Sequence, residues 1–314
     1  MASPYFSICI PTHNRAQYFP ELVASVLSQD FTDWELIIVD NASDLQTRSL
    51  LCSLPKDVRI RIVLEEKFAS MSNNFNRCIP LCNGQIFMLL TDKDCLAAGA
   101  LRILHDFFQN NNCDFAYFNY CAYDEQGRLI FSKKNGPFYF ASQKTWGSAE
   151  FLAHCKKHAL MLTTIGLNVA LRLGFMRSNR LQYGDHFRND VFLFLEAAQK
   201  ASRVCFLPSS LVKLRSISSY SYKREPDVLR RVQEDYKQLH ELLLLPFDEA
   251  IFFAWLDEED GLLCATNFPA RLILFLSSCR FILKDARLLE VKMHQALFFV
   301  QKYVLAKFQK EPTS

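Results

Sequence analysis

Between Tyr5 and Cys121, short runs of β-branched, aromatic and other apolar residues alternate with longer amphipathic stretches. Tyr5 to Ile10, Trp34 to Val39, Val58 to Leu64, Gln85 to Thr91 and Asp114 to Cys121 have the length and residue types of strands. Ala16 to Ser28, Leu45 to Ser53, Ser72 to Cys82 and Ala98 to Gln109 carry the wider period of helices. Such alternation predicts a mostly parallel α/β sheet flanked by crossover helices, with ligands gathering at the carboxyl ends of the strands.

The pattern then changes. Tyr123 to Gly147 is polar and turn-rich, which predicts a hairpin and a long loop of the kind that closes over substrates. From Gly184 to Arg215 the chain reads as an acidic loop, an amphipathic helix from about Asn189 to Ala201, and two short strands at Val204 to Phe206 and Leu211 to Leu214. Beyond Tyr222 the period is helical to the end, and Leu289, Met293, Ala296, Val300, Val304 and Phe308 form a stripe. The expected organisation is an α/β domain at 1–221 and a C-terminal helical extension at 222–314. That extension is acidic first, with Asp257 to Asp260 as its extreme, and then basic. It reads as a helical subdomain packed on the sheet, or as a contact with an anionic membrane surface.

Composition narrows the class without choosing a function. A chain of 314 residues, 50% hydrophobic with 28 Phe, can bury a full core and is not disordered. Its formal net charge of +3 is too small and too evenly spread for nucleic-acid binding. The N-terminus has no basic signal region, and no apolar run approaches the roughly 18 residues of a membrane span. A cytoplasmic protein, at most peripheral on the membrane, is expected. The 11 cysteines lack C-x-x-C pairs, which fits buried thiols in a reducing compartment and argues against a zinc site. His154 and His158, with Lys156 and Lys157 between them, read as a solvated helix face.

Three polar clusters fall on the expected ligand edge of the sheet. They are Pro11-Thr12-His13-Asn14-Arg15, Asp40-Asn41-Ala42-Ser43-Asp44 and Asp92-Lys93-Asp94. Two carboxylates one residue apart at a strand end can hold a divalent cation against a diphosphate; equally, Asp92 can cap a helix while Asp94 is solvated. Asp40 can accept a bond from a base or ribose, or cap its own loop. Asp190, ahead of Val191 to Leu195, can serve as a general base on a hydroxyl or as a helix cap, and Asp185 lies close enough to compete.

In order and spacing, residues 5 to 221 resemble the family-2 glycosyltransferases of GT-A fold. Phe6 to Arg15 is similar to the family's first strand and Pro-Thr-x-Asn-Arg turn, and Trp34 to Asp44 to its second strand and following loop. Asn76-Arg77 with Gly84, Leu89 to Asp94, Asn189 to Leu193, and Leu211 to Arg215 with Ser219 are similar to its later motifs. The resemblance implies a GT-A-like Rossmann-type sheet and an inverting transfer from a nucleotide-sugar donor, UDP-linked, to a glycan or glycolipid acceptor. It implies that Pro11, Thr12 and Arg15 line the nucleotide pocket and that Asp40 contacts the base. Asp92 would approach ribose or metal, Asp94 would ligate Mn²⁺ or Mg²⁺, and Asp190 would be the base, with Asp185 as second choice. The chain departs from the family pattern at Lys93, Cys78 and Asn189. Those departures keep a degenerate binding or scaffold protein in view. A nucleotidyltransferase would want a glycine-rich phosphate loop, and Pro11 to Arg15 contains no glycine.

Overall fold

β1 (Phe6–Thr12) is buried at every position and lies inside the sheet. The computed structural model describes residues 3–132, 138–157, 167–215 and 226–243. The other strands are β2 (Trp34–Asn41), β3 (Ile60–Glu65), β4 (Ile86–Leu89), β5 (Cys95–Leu96), β6 (Phe115–Tyr123), β7 (Leu129–Phe131), β8 (Lys144–Gly147), β9 (Val169–Arg172) and β10 (Arg203–Arg215). The helices are α1 (Phe19–Leu27), α2 (Leu45–Ser53), α3 (Met71–Leu81), α4 (Ala100–Asn110), α5 (Ser148–Lys157), α6 (Leu173–Ser178), α7 (Asn189–Lys200) and α8 (Pro226–Leu242). A 3-10 turn, Ala16–Tyr18, leads into α1, where Pro20 suits the first helical turn because its missing N–H has no partner to lose there.

The sheet runs β3-β2-β1-β4-β9-β6-β10-β5, with β7 hydrogen-bonded to β6 and β8 to β10. β1 pairs in parallel with β2 and with β4, β2 with β3, and β6 with β10, whereas β9 runs antiparallel to both β4 and β6. The chain steps outward from β1 to β3, then returns through α3 and lays β4 on the other side of β1. That reversal makes a topological switch point between β1 and β4, where the loops leave in opposite directions and open a crevice.

The expected parallel strands and crossover helices are therefore present, within a sheet that is mixed toward its second edge. β5, β8, β9 and α6 are additions to the predicted elements. The two strands expected at 204–206 and 211–214 are one strand, whose register against β6 slips between Leu207 and Val212, around Pro208. The proline lacks the N–H a regular ladder needs. The expected hairpin is β6–β7, closed by Gly127 N–H donating to Asp124 O at 3.0 Å.

The chain divides into two compact units. One comprises Met1–Lys134, Tyr139–His154 and Thr163–Ile217 and holds the sheet; the other comprises Asn135–Phe138, Cys155–Leu162 and Ser218–Ser314 and includes α8. The Leu289 to Phe308 stripe and most of the expected C-terminal extension lie outside the described residues.

α7 is fixed to the sheet by aromatic packing. Phe194 meets Phe115 and Tyr117 edge-on, each with ring centroids 5.5 Å apart. The eight buried residues of α7 anchor the helix whose first turn carries Asp190.

Candidate active site

Thr12 ends β1, and Asp92 follows β4 across the switch point. The Thr12 hydroxyl donates to Asp92 Oδ2 at 3.0 Å, and the Arg15 guanidinium stands 3.6 Å from Oδ1. Burial pushes the Asp92 carboxyl up, while Arg15 and the Thr12 hydroxyl pull it back. Pro11 is buried in the strand, and Arg15 is partly exposed at the mouth of the crevice.

The loops after β1 and β2 are sewn together. Asn14 N–H donates to Ser43 Oγ at 2.9 Å, and Asp44 N–H donates to Asn14 Oδ1 at 2.8 Å. Asn14 and Ala42 hold left-handed backbone at φ 53° and 54°. Asparagine tolerates that conformation; for alanine it is unusual and marks a turn fixed by its surroundings. Asp44 also caps α2, accepting from Thr47 N–H at 2.8 Å.

Asp40 is fully buried. Its Oδ2 accepts from Arg48 Nε at 3.1 Å and from Ser43 N–H at 3.2 Å, and its Oδ1 has no hydrogen-bond partner among the described residues. An unmatched carboxylate oxygen in such a place is costly, and a ligand donor would relieve it. Asn41, the next residue, exchanges two bonds with the backbone of Ala69 and accepts from Arg77 at 3.0 Å.

The acidic loop is held by α3. Asn76 bonds Tyr183 twice, accepting from its N–H at 2.8 Å and donating to its carbonyl at 2.9 Å, and Asn189 donates to Ser72 Oγ at 3.3 Å. Asn189, a departure from the family pattern, thus ties the start of α7 to the start of α3. Asp190 Oδ1 accepts from Val191 N–H at 3.0 Å and lies 3.5 Å from Arg188. Asp190 shares a cavity with Leu89 of β4, Val169, Tyr183 and Leu193, which brings it to the end of the strand that delivers Asp92. Asp185 is exposed, and the adjacent His186 ring stacks on Phe192 at 3.6 Å.

Both carboxylate oxygens of Asp94 are engaged by protein donors. The residue is 2% exposed, and burial pushes its carboxyl up. Oδ1 accepts from Arg215 N–H at 2.8 Å and faces Lys93 Nζ at 3.6 Å, while Oδ2 accepts a short bond from the Thr91 hydroxyl. Mg²⁺ or Mn²⁺ needs carboxylate lone pairs turned to the cleft. The Asp94 oxygens are occupied by protein donors, and Asp92 is paired with Thr12 and Arg15. These donors do not fit a cation lodged on Asp94.

Cys78, the other departure, is buried with Cys9 and Cys82 where α3 meets β1, and Cys9 and Cys82 lie Sγ to Sγ at 3.3 Å. Sequence reasoning did not single out Arg48 or Tyr183, and it took in Asn41 and Thr91 only as members of their motifs. Arg48 lies one turn into α2, eight residues after the carboxylate it holds, and only the strand-loop-helix geometry joins them.

Residues 7–163 match the family described as Glycosyl transferase family 2. A stretch of 129 residues, 40% of the chain, is 33% identical to the GalNAc(5)-diNAcBac-PP-undecaprenol beta-1,3-glucosyltransferase of Campylobacter jejuni and spans 41% of it. Over 114 residues, 36% of the chain is 27% identical to 45% of the UDP-Glc:alpha-D-GlcNAc-diphosphoundecaprenol beta-1,3-glucosyltransferase WfgD of Escherichia coli. The chain thus spans less than half the length of these curated relatives. Among solved structures, S. aureus TarS 1-349 in complex with UDP-GlcNAc superposes with a TM-score of 0.60 at 14% identity, over 95% of this chain and 89% of that one.

Proposed function

Because the chain belongs to glycosyl transferase family 2 and has the GT-A fold, we propose that it moves a sugar from a uridine diphosphate donor to a hydroxyl of a lipid-linked glycan, with inversion at the anomeric carbon. The observation that carries the donor assignment is the buried Asp40 with its unmatched Oδ1. The N3–H of uracil is a donor that this oxygen can accept, whereas cytosine presents a lone pair at the same place. Pro11, Thr12 and Arg15 line the nucleotide side of the crevice, and Asp92, placed by Thr12, faces the ribose. The relatives whose names specify undecaprenol-linked substrates support a lipid-linked acceptor.

Asp190 is the general base. It accepts the proton of the acceptor hydroxyl as that oxygen attacks the anomeric carbon. The bond from that carbon to the diphosphate oxygen breaks, and the diphosphate leaves with the electron pair. Val191 N–H and Arg188 both engage Oδ1. They fix the carboxylate and leave Oδ2 for the proton. Asp185, exposed in the loop that Tyr183 and Asn76 pin, is the second choice.

A lipid-linked acceptor places the reaction at a membrane surface. We take the attachment to be peripheral; among the described residues no helix is long and apolar enough to cross a membrane. Flotation with anionic and zwitterionic liposomes tests it, and equal recovery without either lipid would refute it. Calorimetry with UDP and CDP tests the donor reading. UDP should bind at least tenfold more tightly, and Asp40→Leu should remove the difference; equal affinity in the unmodified protein would refute the assignment of Asp40.

A further inference from the structure

We propose that the cavity between α1, the β6–β7 turn and the end of β10 binds the diphosphate group of the lipid-linked acceptor. This rests on the acceptor reading above and gives the charged part of that acceptor a place in the fold.

The cavity measures about 260 Å³, and its lining includes Glu21, Cys95, Tyr123, Gly127, Lys213 and Arg215. One water needs only about 10–15 Å³, so there is room for a ligand group. Strand register explains the lining. Cys95 of β5 is paired with Lys213 of β10, and Tyr123 of β6 with Arg215. Paired residues share a sheet face, as do positions two apart on one strand, so these four side chains stand on one face. Arg215 bonds Glu21 of α1, which makes it the face toward that helix.

Three of the lining residues hold donors without a protein partner among the described residues: the Lys213 ammonium, Arg215 Nη1 and the Tyr123 hydroxyl. Glu21, the acidic member of the lining, is already bonded to Arg215 Nη2. Arg215 is further held by Nε donating to Lys93 O at 3.3 Å and by the Tyr18 ring, 5.1 Å from its guanidinium carbon. Its position is therefore set before any ligand arrives. Burial and the Glu21 charge push the Cys95 thiol up to about 11, so it adds no negative charge at neutral pH. Lys213 is left as an uncompensated cation. Its Cα lies about 6.6 Å from that of Arg215 at the ordinary strand rise, a spacing that suits a ligand with two anionic centres. Phosphate oxygens accept charge-assisted bonds from both kinds of head group.

The turn after β4 has the nucleotide residues on one side and this cavity on the other. Asp92 meets Thr12 and Arg15, whereas Asp94 accepts from Arg215 N–H at 2.8 Å and is followed by Cys95. Donor and acceptor diphosphates are thereby assigned to two sides of one loop.

The test is calorimetry on the full chain with its donor site saturated by UDP, titrated with farnesyl-diphosphate-linked N-acetylglucosamine or with neutral farnesyl N-acetylglucosaminide. The unmodified protein should bind the diphosphate probe at least tenfold more tightly than the neutral one. Lys213→Ala should cut that preference to about threefold or less and leave UDP affinity within about twofold, while Lys213→Arg should keep most of the preference. Equal binding of the two probes by the unmodified protein, or an undiminished preference in Lys213→Ala, would overturn the cavity assignment and leave the acceptor reading standing. Displacement of the diphosphate probe by UDP would overturn it too, by placing that group in the donor's site. Binding of neither probe would overturn both the cavity assignment and the lipid-linked acceptor. If UDP itself does not bind, the donor reading fails, and the same titrations without UDP still decide the role of Lys213.

Discussion

Gly84 lies between α3 and β4, where the returning chain passes against β1. A methyl group there would stand 2.7 Å from the Ser7 amide nitrogen and 2.8 Å from the Phe6 carbonyl carbon. Both are backbone atoms of a strand that is buried throughout and paired on both sides, so neither can yield like a side chain. The methyl would also fall 2.7 Å from Ser7 Oγ, which accepts from Gly84 N–H at 2.8 Å and donates to Glu35 at 2.6 Å. Overpacking of this kind costs about 1–3 kcal/mol. The displaced hydrogen bond adds about 1 kcal/mol, so Gly84→Ala should lose about 2–4 kcal/mol in all. Urea unfolding followed by tryptophan fluorescence reads this as a lower midpoint at unchanged slope. Gly174→Ala is the control: its methyl would meet nothing within 4 Å, and it lies in α6, so stability should stay level or rise by up to about 1 kcal/mol. A loss below about 1 kcal/mol at Gly84 would refute the claimed close approach of β4 to β1.

Thr12→Val removes the donor to a buried oxygen of Asp92 and should cost about 1–3 kcal/mol, while Thr12→Ser should recover most of it; equal losses in the same urea titration would show that the hydroxyl is not the cause. The Arg59 guanidinium lowers the Asp57 carboxyl to about 2 from its ordinary 3.8. Its stabilising contribution is therefore present above the ordinary value and is lost as pH falls through about 2. Asp57→Asn should cost less than about 1 kcal/mol at neutral pH, and the gap should close as unfolding is measured at falling pH; a gap independent of pH would contradict the pairing. Cys52 is exposed, whereas Cys9 and Cys95 are buried with thiols pushed up, Cys95 to about 11. Brief iodoacetamide treatment followed by peptide mapping should mark Cys52 and spare the other two until urea is added; native labelling of Cys9 at the Cys52 rate would contradict the β1–α3 packing.

The first half of the fold was legible because buried parallel strands are continuous apolar runs and their crossover helices keep one period. The strand expected at 85–91 is shorter: apolar Leu90 continues the run, but the chain turns between Thr91 and Asp94, and β4 ends at Leu89. β5 and β9 are two and four residues long and take their place from antiparallel neighbours rather than from any period of their own. At the site, the positions of Thr12, Asp40 and Asp92 followed from strand ends, whereas their partners did not. Arg48 reaches Asp40 from a helix, and Arg215 reaches Asp94 from a strand 121 residues away. Composition and spacing carry no trace of such pairings, and so the burial of Asp94 against Lys93 emerges only in three dimensions.

The central claim is sugar transfer with Asp190 as base, and it is tested most directly by following a radiolabelled sugar from a panel of UDP-sugars onto an undecaprenyl-diphosphate-linked N-acetylhexosamine. The unmodified protein should label the lipid with one of the donors. Asp190→Asn should bind UDP as before and reduce labelling at least a hundredfold, within the range by which general-base catalysis contributes. Undiminished labelling by Asp190→Asn would contradict the account.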